Sequence, residues 1–79
     1  MTVRLRFFAT LREQLGSTLE RDVPQGTTVE SLWTSVVAER PALRQLRVTF
    51  AVGERYVEGS HRVKAGDEVA FFPPVSGGG

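Results

Sequence analysis

The chain of 79 residues contains no cysteine and a single histidine, His61. Without cysteine it can form no disulfide, thiolate nucleophile, persulfide or cysteine-ligated metal site of its own. A metal site built from histidines, or a histidine-based catalytic relay, would need more ligands than one histidine provides. We therefore predict no metal site. We interpret His61, which lies in a polar loop, as a solvated residue.

Long apolar runs and a large net charge are also absent. No segment approaches the roughly 20 apolar residues that span a bilayer, and the N-terminus alternates charged with apolar residues, unlike a signal peptide. The formal net charge of +1 gives no electrostatic reason to expect nucleic acid or an anionic membrane as partner. We therefore expect a cytoplasmic protein with one small domain and no deep active site of its own.

Several short segments alternate apolar and polar residues with the period of two that is typical of half-buried strands. Turn residues separate these segments, and glycine in the turn at residues 64–67 is placed for a positive φ. The predicted strands lie within residues 3–8, 18–23, 48–52, 55–57 and 68–72.

One amphipathic helix lies between the second and third strands. Thr27 or Thr28 can cap it, and Thr27 with Glu30 has the spacing of a capping box. Pro41 ends it. With a short helical turn at residues 9–15, this order predicts an α+β fold of the β-grasp type. A mixed sheet of four or five strands would pack on one main helix, with the first and last strands parallel neighbours. The apolar stripe of the helix comprises Val29, Leu32, Trp33, Val36 and Val37.

The strand period places two phenylalanines on the side of the sheet that faces away from the helix. If Phe7 faces the helix, Phe8 points away from it, and Phe72 points away from the core that holds Phe71. Since these strands are neighbours in a β-grasp sheet, Phe8 and Phe72 would form an exposed aromatic patch, with Tyr56 as a third candidate. Such patches often mark partner surfaces. In the alternative, the strand ends twist and the rings pack under loops.

The C-terminus has the composition of a tail that fits a narrow slot. Pro73 and Pro74 end strand pairing and direct the chain away from the sheet. We therefore divide the chain into a domain, residues 1–74, and a flexible tail, residues 75–79, which can extend about 16 Å. Glycine adds no side chain that could clash. Such a tail delivers its carboxylate, which another protein must activate because this chain has no phosphate-binding loop. The alternative is a flexible end without function.

The last part of the chain also carries a specific family motif. Residues 66–78 have the sequence GDEVAFFPPVSGG, which resembles the terminal signature of the molybdopterin synthase small subunit family. Residues 3–13 resemble the start of that family, and residues 28–32 resemble its helix entry. The resemblance covers nearly the whole chain and implies a ubiquitin-like β-grasp sulfur carrier.

The resemblance implies a chemistry and a set of partners. In that family an ATP-dependent, E1-like enzyme adenylates the terminal glycine, and a sulfur donor (a sulfurtransferase or desulfurase) supports its conversion to a thiocarboxylate. The tail then enters the synthase large subunit and donates sulfur to precursor Z (cyclic pyranopterin monophosphate), which builds the dithiolene of molybdopterin. The chain would be a non-autonomous subunit that binds no cofactor alone, because the activating partner uses the ATP.

The resemblance also assigns roles to residues. The family has interface aromatics at the positions of Phe8 and Phe72 and an apolar residue at that of Tyr56, and we add Pro73 and Pro74 to this interface. The family usually ends in Gly-Gly, whereas a third glycine follows here. Either this added glycine is the reactive residue, or its removal exposes the one before it, or it is a remnant of expression. We favour the first, because the chemistry needs a terminal carboxylate. The predicted tail residues are Val75, Ser76, Gly77 and Gly78, with Gly79 as the reactive terminus and Gly78 in its place if the tail is trimmed.

Three other functions stay open. The first is a sulfur carrier for thiamine, cysteine or transfer-RNA thiolation, against which the Phe-Phe-Pro-Pro stretch argues because the thiamine carriers lack the double proline. The second is a ubiquitin-like protein modifier, for which the single lysine, Lys64, leaves few routes to polymeric chains. The third is a β-grasp binding module whose tail has no function.

Overall fold

The computed structural model describes residues 1–73. The predictions for Pro74, for residues 75–79 and for the boundary between domain and tail lie outside the described residues. No helix within the described part is long and apolar enough to cross a membrane. The elements, in chain order, are β1 (Thr2–Phe7), α1 (Thr10–Leu15), β2 (Thr18–Asp22), α2 (Val29–Glu39), a 3-10 helix (Pro41–Gln45), β3 (Thr49–Val52), β4 (Arg55–Val57) and β5 (Glu68–Phe72).

The strands form one five-stranded mixed sheet in the order β2-β1-β5-β3-β4. β1 pairs antiparallel with β2 and parallel with β5, and the two other pairings, β3 with β4 and β3 with β5, are antiparallel. The first and last strands of the chain are therefore parallel neighbours at the centre of the sheet. This arrangement, with α2 packed on one face, confirms the predicted β-grasp fold.

The core lies between α2 and one face of the sheet. In β1 the predicted alternation is strict: Val3, Leu5 and Phe7 are at most 2% exposed, while the residues between them are exposed. Of the helix stripe, three residues are buried, and Trp33 and Val37 are half-buried against the same cluster. Trp33 lies 5.6 Å from a core phenylalanine, ring to ring, as expected for a core residue.

The N-terminus of α2 uses one of the two candidate caps. Thr28 Oγ1 accepts a hydrogen bond from the backbone N–H of Ser31 at 3.2 Å. The hydroxyl of Thr27 instead donates to the carbonyl of Pro24 at 2.7 Å. The predicted capping box of Thr27 with Glu30 is therefore wrong, because the preceding turn already uses that hydroxyl.

A loop before β5 completes the cap of α2. The backbone N–H of Val29 donates to the carbonyl of His61 at 2.9 Å, and that of Glu30 donates to the carbonyl of Gly59 at 3.0 Å. These carbonyls satisfy helix donors that have no partner within the helix. A Cβ at Gly59 would lie 3.0 Å from the Glu30 Cβ, so glycine permits this close approach. The His61 side chain is exposed, as expected.

The connection from α2 to β3 contains a short helix that the sequence pattern does not predict. Helix α2 ends before Pro41, as predicted, but Pro41 then begins a 3-10 helix. That helix places Leu43 in the core at 1% exposure. Proline is well suited to the first turn of a helix because its missing N–H would have no partner there.

Candidate functional site: an aromatic patch on the open sheet face

One face of the sheet packs on α2, and we call the other face the open face. Ala51 and Ala70 pair at its middle and are only 6% and 8% exposed, because larger side chains around them limit access of solvent. Alternation along each strand assigns these larger side chains to the open face. They are Arg4, Arg6, Glu20, Thr49, Tyr56, Glu68 and Phe72.

Phe8 and Phe72 stack on each other on the open face. Their ring centroids are 4.6 Å apart and the rings are inclined by 14°. The contact follows from the parallel pairing of β1 with β5, in which Phe7 lies opposite Phe71, so the residues that follow each of them are also neighbours. Both rings are half-buried. Each ring therefore keeps area that a partner could cover.

Tyr56 lies next to this pair. Its ring centroid is 6.1 Å from that of Phe72, and the residue is 74% exposed. Tyr56 pairs with Ala51, which places it on the open face. The structure thus brings together the two phenylalanines that the strand period placed on this face and Tyr56, the third candidate. From here on we call Phe8, Tyr56 and Phe72 the aromatic patch.

The backbone at Ala9 separates Phe8 from the helix that follows. Ala9 has φ 52° and ψ −128° and is the one non-glycine residue with positive φ among those that the structure describes. Such a conformation costs on the order of 1–3 kcal/mol. It turns the chain so that Leu11 is fully buried in the core while Phe8 stays on the open face. The sequence does not predict this strain, because alanine carries no signal for positive φ.

Two ion pairs lie on the open face at strand β1, and one of them adjoins the aromatic patch. Arg6 Nη1 is 3.3 Å from Glu68 Oε1, and Arg4 Nη2 is 3.3 Å from Glu20 Oε2. The Arg6 guanidinium carbon also lies 5.3 Å from the centroid of the Phe8 ring, within the range of a cation–π contact. The period of β1 places both arginines on the same face as Phe8, but their carboxylate partners lie on other strands, so alternation along β1 does not predict these ion pairs.

Strand β5 ends at the aromatic patch. Phe72 is its last residue, and Pro73, which follows, is half-buried. Because β5 is the central strand, it ends in the middle of the sheet rather than at an edge. Of the residues predicted to belong to the interface, Phe8, Tyr56, Phe72 and Pro73 therefore lie in one region.

Within residues 1–73 no cluster of three or more metal-binding side chains occurs, and no charged or polar residue is fully buried. Arg21 and Glu39, which are not part of the aromatic patch, have shifted pKa values. Arg21 donates two hydrogen bonds of 2.7 Å to the Glu39 carboxylate. These bonds lower the pKa of Glu39 and raise that of Arg21, and they join β2 to the end of α2.

Comparison with known proteins identifies similar chains. The model of the ThiS family matches residues 5–78. The molybdopterin synthase sulfur carrier subunit of Escherichia coli (strain K12) is 36% identical over 80 residues, which cover 96% of this chain and 99% of that protein.

Solved structures show the same fold. SAMP1 from Haloferax volcanii has a TM-score of 0.79 at 30% identity, over 96% of this chain and 98% of that one. A chain of the complex of subunits 1 and 2 of the molybdopterin-converting factor from Helicobacter pylori 26695 has a TM-score of 0.68 at 20% identity, over 95% and 96% of the two chains. The fold is therefore that of the ubiquitin-like β-grasp proteins, as predicted.

Proposed function

The chain belongs to the ThiS family, and from that premise we propose that it is the cytoplasmic sulfur carrier subunit of a molybdopterin synthase. The observation that carries this proposal is the stacked pair of Phe8 and Phe72 beside Tyr56, with Phe72 at the end of the last strand. The name of the similar Escherichia coli protein supports the same role. In this role the chain is a non-autonomous part of an enzyme.

The reactive group in this proposal is the terminal carboxylate of Gly79. A carboxylate oxygen attacks the α-phosphate of ATP on an E1-like partner, and pyrophosphate leaves. Hydrosulfide, or its equivalent from a sulfur donor, then attacks the acyl carbon of the adenylate, and AMP leaves, so that a thiocarboxylate remains. ATP is bound and used by the partner, so the chain itself needs no cofactor. If the tail is trimmed, Gly78 has this role.

The aromatic patch provides the docking surface for the synthase large subunit. Phe8 and Phe72 already contact each other, so little side-chain freedom is lost when a partner covers them. Tyr56 adds a large exposed ring at the edge of the same surface. Docking here places Pro73, and beyond it Pro74, at the large subunit. The tail residues that follow, Val75, Ser76, Gly77, Gly78 and Gly79, then enter its active site.

Inside the large subunit the tail donates its sulfur to precursor Z (cyclic pyranopterin monophosphate). The thiocarboxylate sulfur attacks a carbon of the substrate, where a carbon–oxygen bond breaks, and a thioester joins the two. Water then hydrolyses the thioester, so that the sulfur stays on the substrate and the carboxylate is restored. Each chain supplies one of the two sulfurs of the dithiolene. Glycine suits a narrow channel because it has no side chain. In this proposal the large subunit provides the proton transfers.

A second candidate function is attachment to proteins, as a ubiquitin-like modifier. It is favoured by the similarity to SAMP1, which is a small archaeal modifier protein. The same activated terminus would then react with an amine, and AMP would leave. The two functions differ in product, because a modifier forms covalent adducts that survive reduction, whereas a sulfur carrier forms none. A carrier for thiamine, cysteine or transfer-RNA thiolation would form a thiocarboxylate but would not require this large subunit.

Reconstitution tests the proposal. The thiocarboxylated chain, mixed with the large subunit and precursor Z, should give the dithiolene product, detected by mass spectrometry. The same chain with an ordinary carboxylate is the matched control and should give none. Absence of product from the thiocarboxylated chain, with a large subunit that is active with its own known carrier, would contradict the proposal.

A further inference from the structure

On the β1 side, the charge next to the aromatic patch is positive. The Arg6 guanidinium lies 5.3 Å from the centroid of the Phe8 ring, and its Nη1 is 3.3 Å from Glu68 Oε1. The ring and the carboxylate together favour a position of the cation beside the patch. A partner that covers Phe8 must therefore also cover Arg6.

The ion pair leaves much of the guanidinium available to a partner. Arginine has several N–H donors in a planar fork, and Arg6 donates from one nitrogen to Glu68 at the long distance of 3.3 Å. The Arg6 side chain is still 45% exposed. When a partner covers this side chain, it removes water from the remaining donors and must supply acceptors, because an unpaired buried charge is costly.

The register explains why the cation rather than its carboxylate partner faces the patch. Arg6 lies opposite Ala70, the residue two positions before Phe72 on β5. Glu68 lies opposite Arg4, a further two positions from the rings. The group that complements Arg6 at this place is a carboxylate, which can accept two hydrogen bonds from the planar fork.

We propose that Arg6 is a specificity-determining residue of the docking surface, and that it binds a carboxylate of the synthase large subunit at the rim of the apolar pocket for Phe8 and Phe72. This inference rests on the proposed function. It adds a charge requirement to an apolar contact, so a large subunit with an apolar or basic rim at that place binds this carrier poorly.

Arg4 offers a matched control. It lies on the same strand and the same face as Arg6, and it also forms a single 3.3 Å ion pair, but with Glu20 and further from the rings. Arg6→Glu and Arg4→Glu therefore change the net charge equally and each break one exposed ion pair. Arg6→Gln removes the charge without placing a second carboxylate beside Glu68. Circular dichroism melts establish that each variant is folded.

The test is titration calorimetry of each variant with the large subunit from the same organism. We expect Arg6→Glu to weaken binding about tenfold or more, Arg6→Gln about threefold to tenfold, and Arg4→Glu by less than about twofold. Added salt should weaken the wild-type complex more than the Arg6→Gln complex, because the proposed ion pair is screened. If Arg6→Glu fails to fold, the Arg6→Gln titration and its salt dependence decide the question.

Each contrary outcome has a distinct meaning. Equal losses for Arg6→Glu and Arg4→Glu would overturn the proposal in favour of a net-charge effect. Wild-type affinity for Arg6→Gln would also overturn it, since repulsion alone would then explain the effect of Arg6→Glu. A complex that is sensitive to Phe72 but not to Arg6 would refute this inference and keep the proposed function. If the wild-type chain forms no complex, both fail.

Discussion

Replacement of Phe72 by alanine should weaken the complex with the large subunit about 60-fold. A phenylalanine buries about 150–250 Å² when it is fully covered. Phe72 is half-buried in the free chain, so a partner can cover about 100 Å² more. At about 25 cal/mol per Å² this area contributes about 2.5 kcal/mol, which corresponds to a change in Kd of about 60-fold.

The loss of binding free energy should be somewhat larger than this area alone gives, because Phe72 also orients Phe8. The two rings stack at 4.6 Å, and the alanine variant leaves the Phe8 ring without its neighbour. Such a stacked pair contributes about 0.5–1.5 kcal/mol beyond the area that it buries. Part of that contribution appears as lower thermal stability of the free chain, so binding must be measured where both proteins are folded.

Titration calorimetry of the variant with the large subunit measures this effect. Leu19→Ala is the control, because Leu19 is also a half-buried apolar residue but lies on β2, opposite the core residue Leu5. It should reduce the thermal stability of the free chain and leave Kd within about twofold, since it lies outside the contact that carries the binding energy. A Phe72→Ala complex as tight as that of the control would refute the docking argument.

Three further predictions concern the fold that holds the patch. Thr28→Ala removes the side-chain cap of α2 and should lower stability by about 1 kcal/mol, which lowers Tm by about 4–8 °C in a thermal melt; a smaller effect than that of Thr27→Ala would contradict the cap assignment. Ala9→Gly should raise Tm, because glycine relieves the strain at φ 52°; a lower Tm would show that no strain is stored there. Hydrogen bonding to Arg21 lowers the pKa of Glu39, so this pair stabilises the fold above the ordinary glutamate pKa, and its contribution is lost as the pH falls through the lowered pKa. The stability difference between wild type and Glu39→Gln, measured by urea unfolding, should therefore shrink in acid, and a constant difference would contradict the assignment.

The strands, the main helix and the aromatic patch were accessible from the sequence because each depends on a local period. Alternation in β1 determines that Phe7 faces the core and Phe8 the open face, and the stripe of α2 determines which side of the helix is buried. The pairing of Phe8 with Phe72 required only the further prediction that β1 and β5 are parallel neighbours. Period and topology together therefore placed the candidate docking surface.

The remaining features depend on contacts between distant parts of the chain. Arg6 and Glu68 are far apart in sequence, and only the register of two strands brings them together. Thr28 rather than Thr27 caps α2, because the Thr27 hydroxyl donates a hydrogen bond to a carbonyl of the turn before the helix. The backbone of Ala9 is set by the need to bury the helix that follows while Phe8 stays outside. None of these has a signal in a short window of sequence.

The most direct test of the central claim is the intact mass of the untagged protein isolated from its own host. If the chain is a sulfur carrier, a fraction should be heavier by the replacement of one oxygen with sulfur, and fragmentation should localise this change to the last peptide and identify Gly79 or Gly78 as the terminus. A single unmodified species would contradict the account if it stays unchanged after incubation with ATP, a sulfur donor and the activating enzyme of the host.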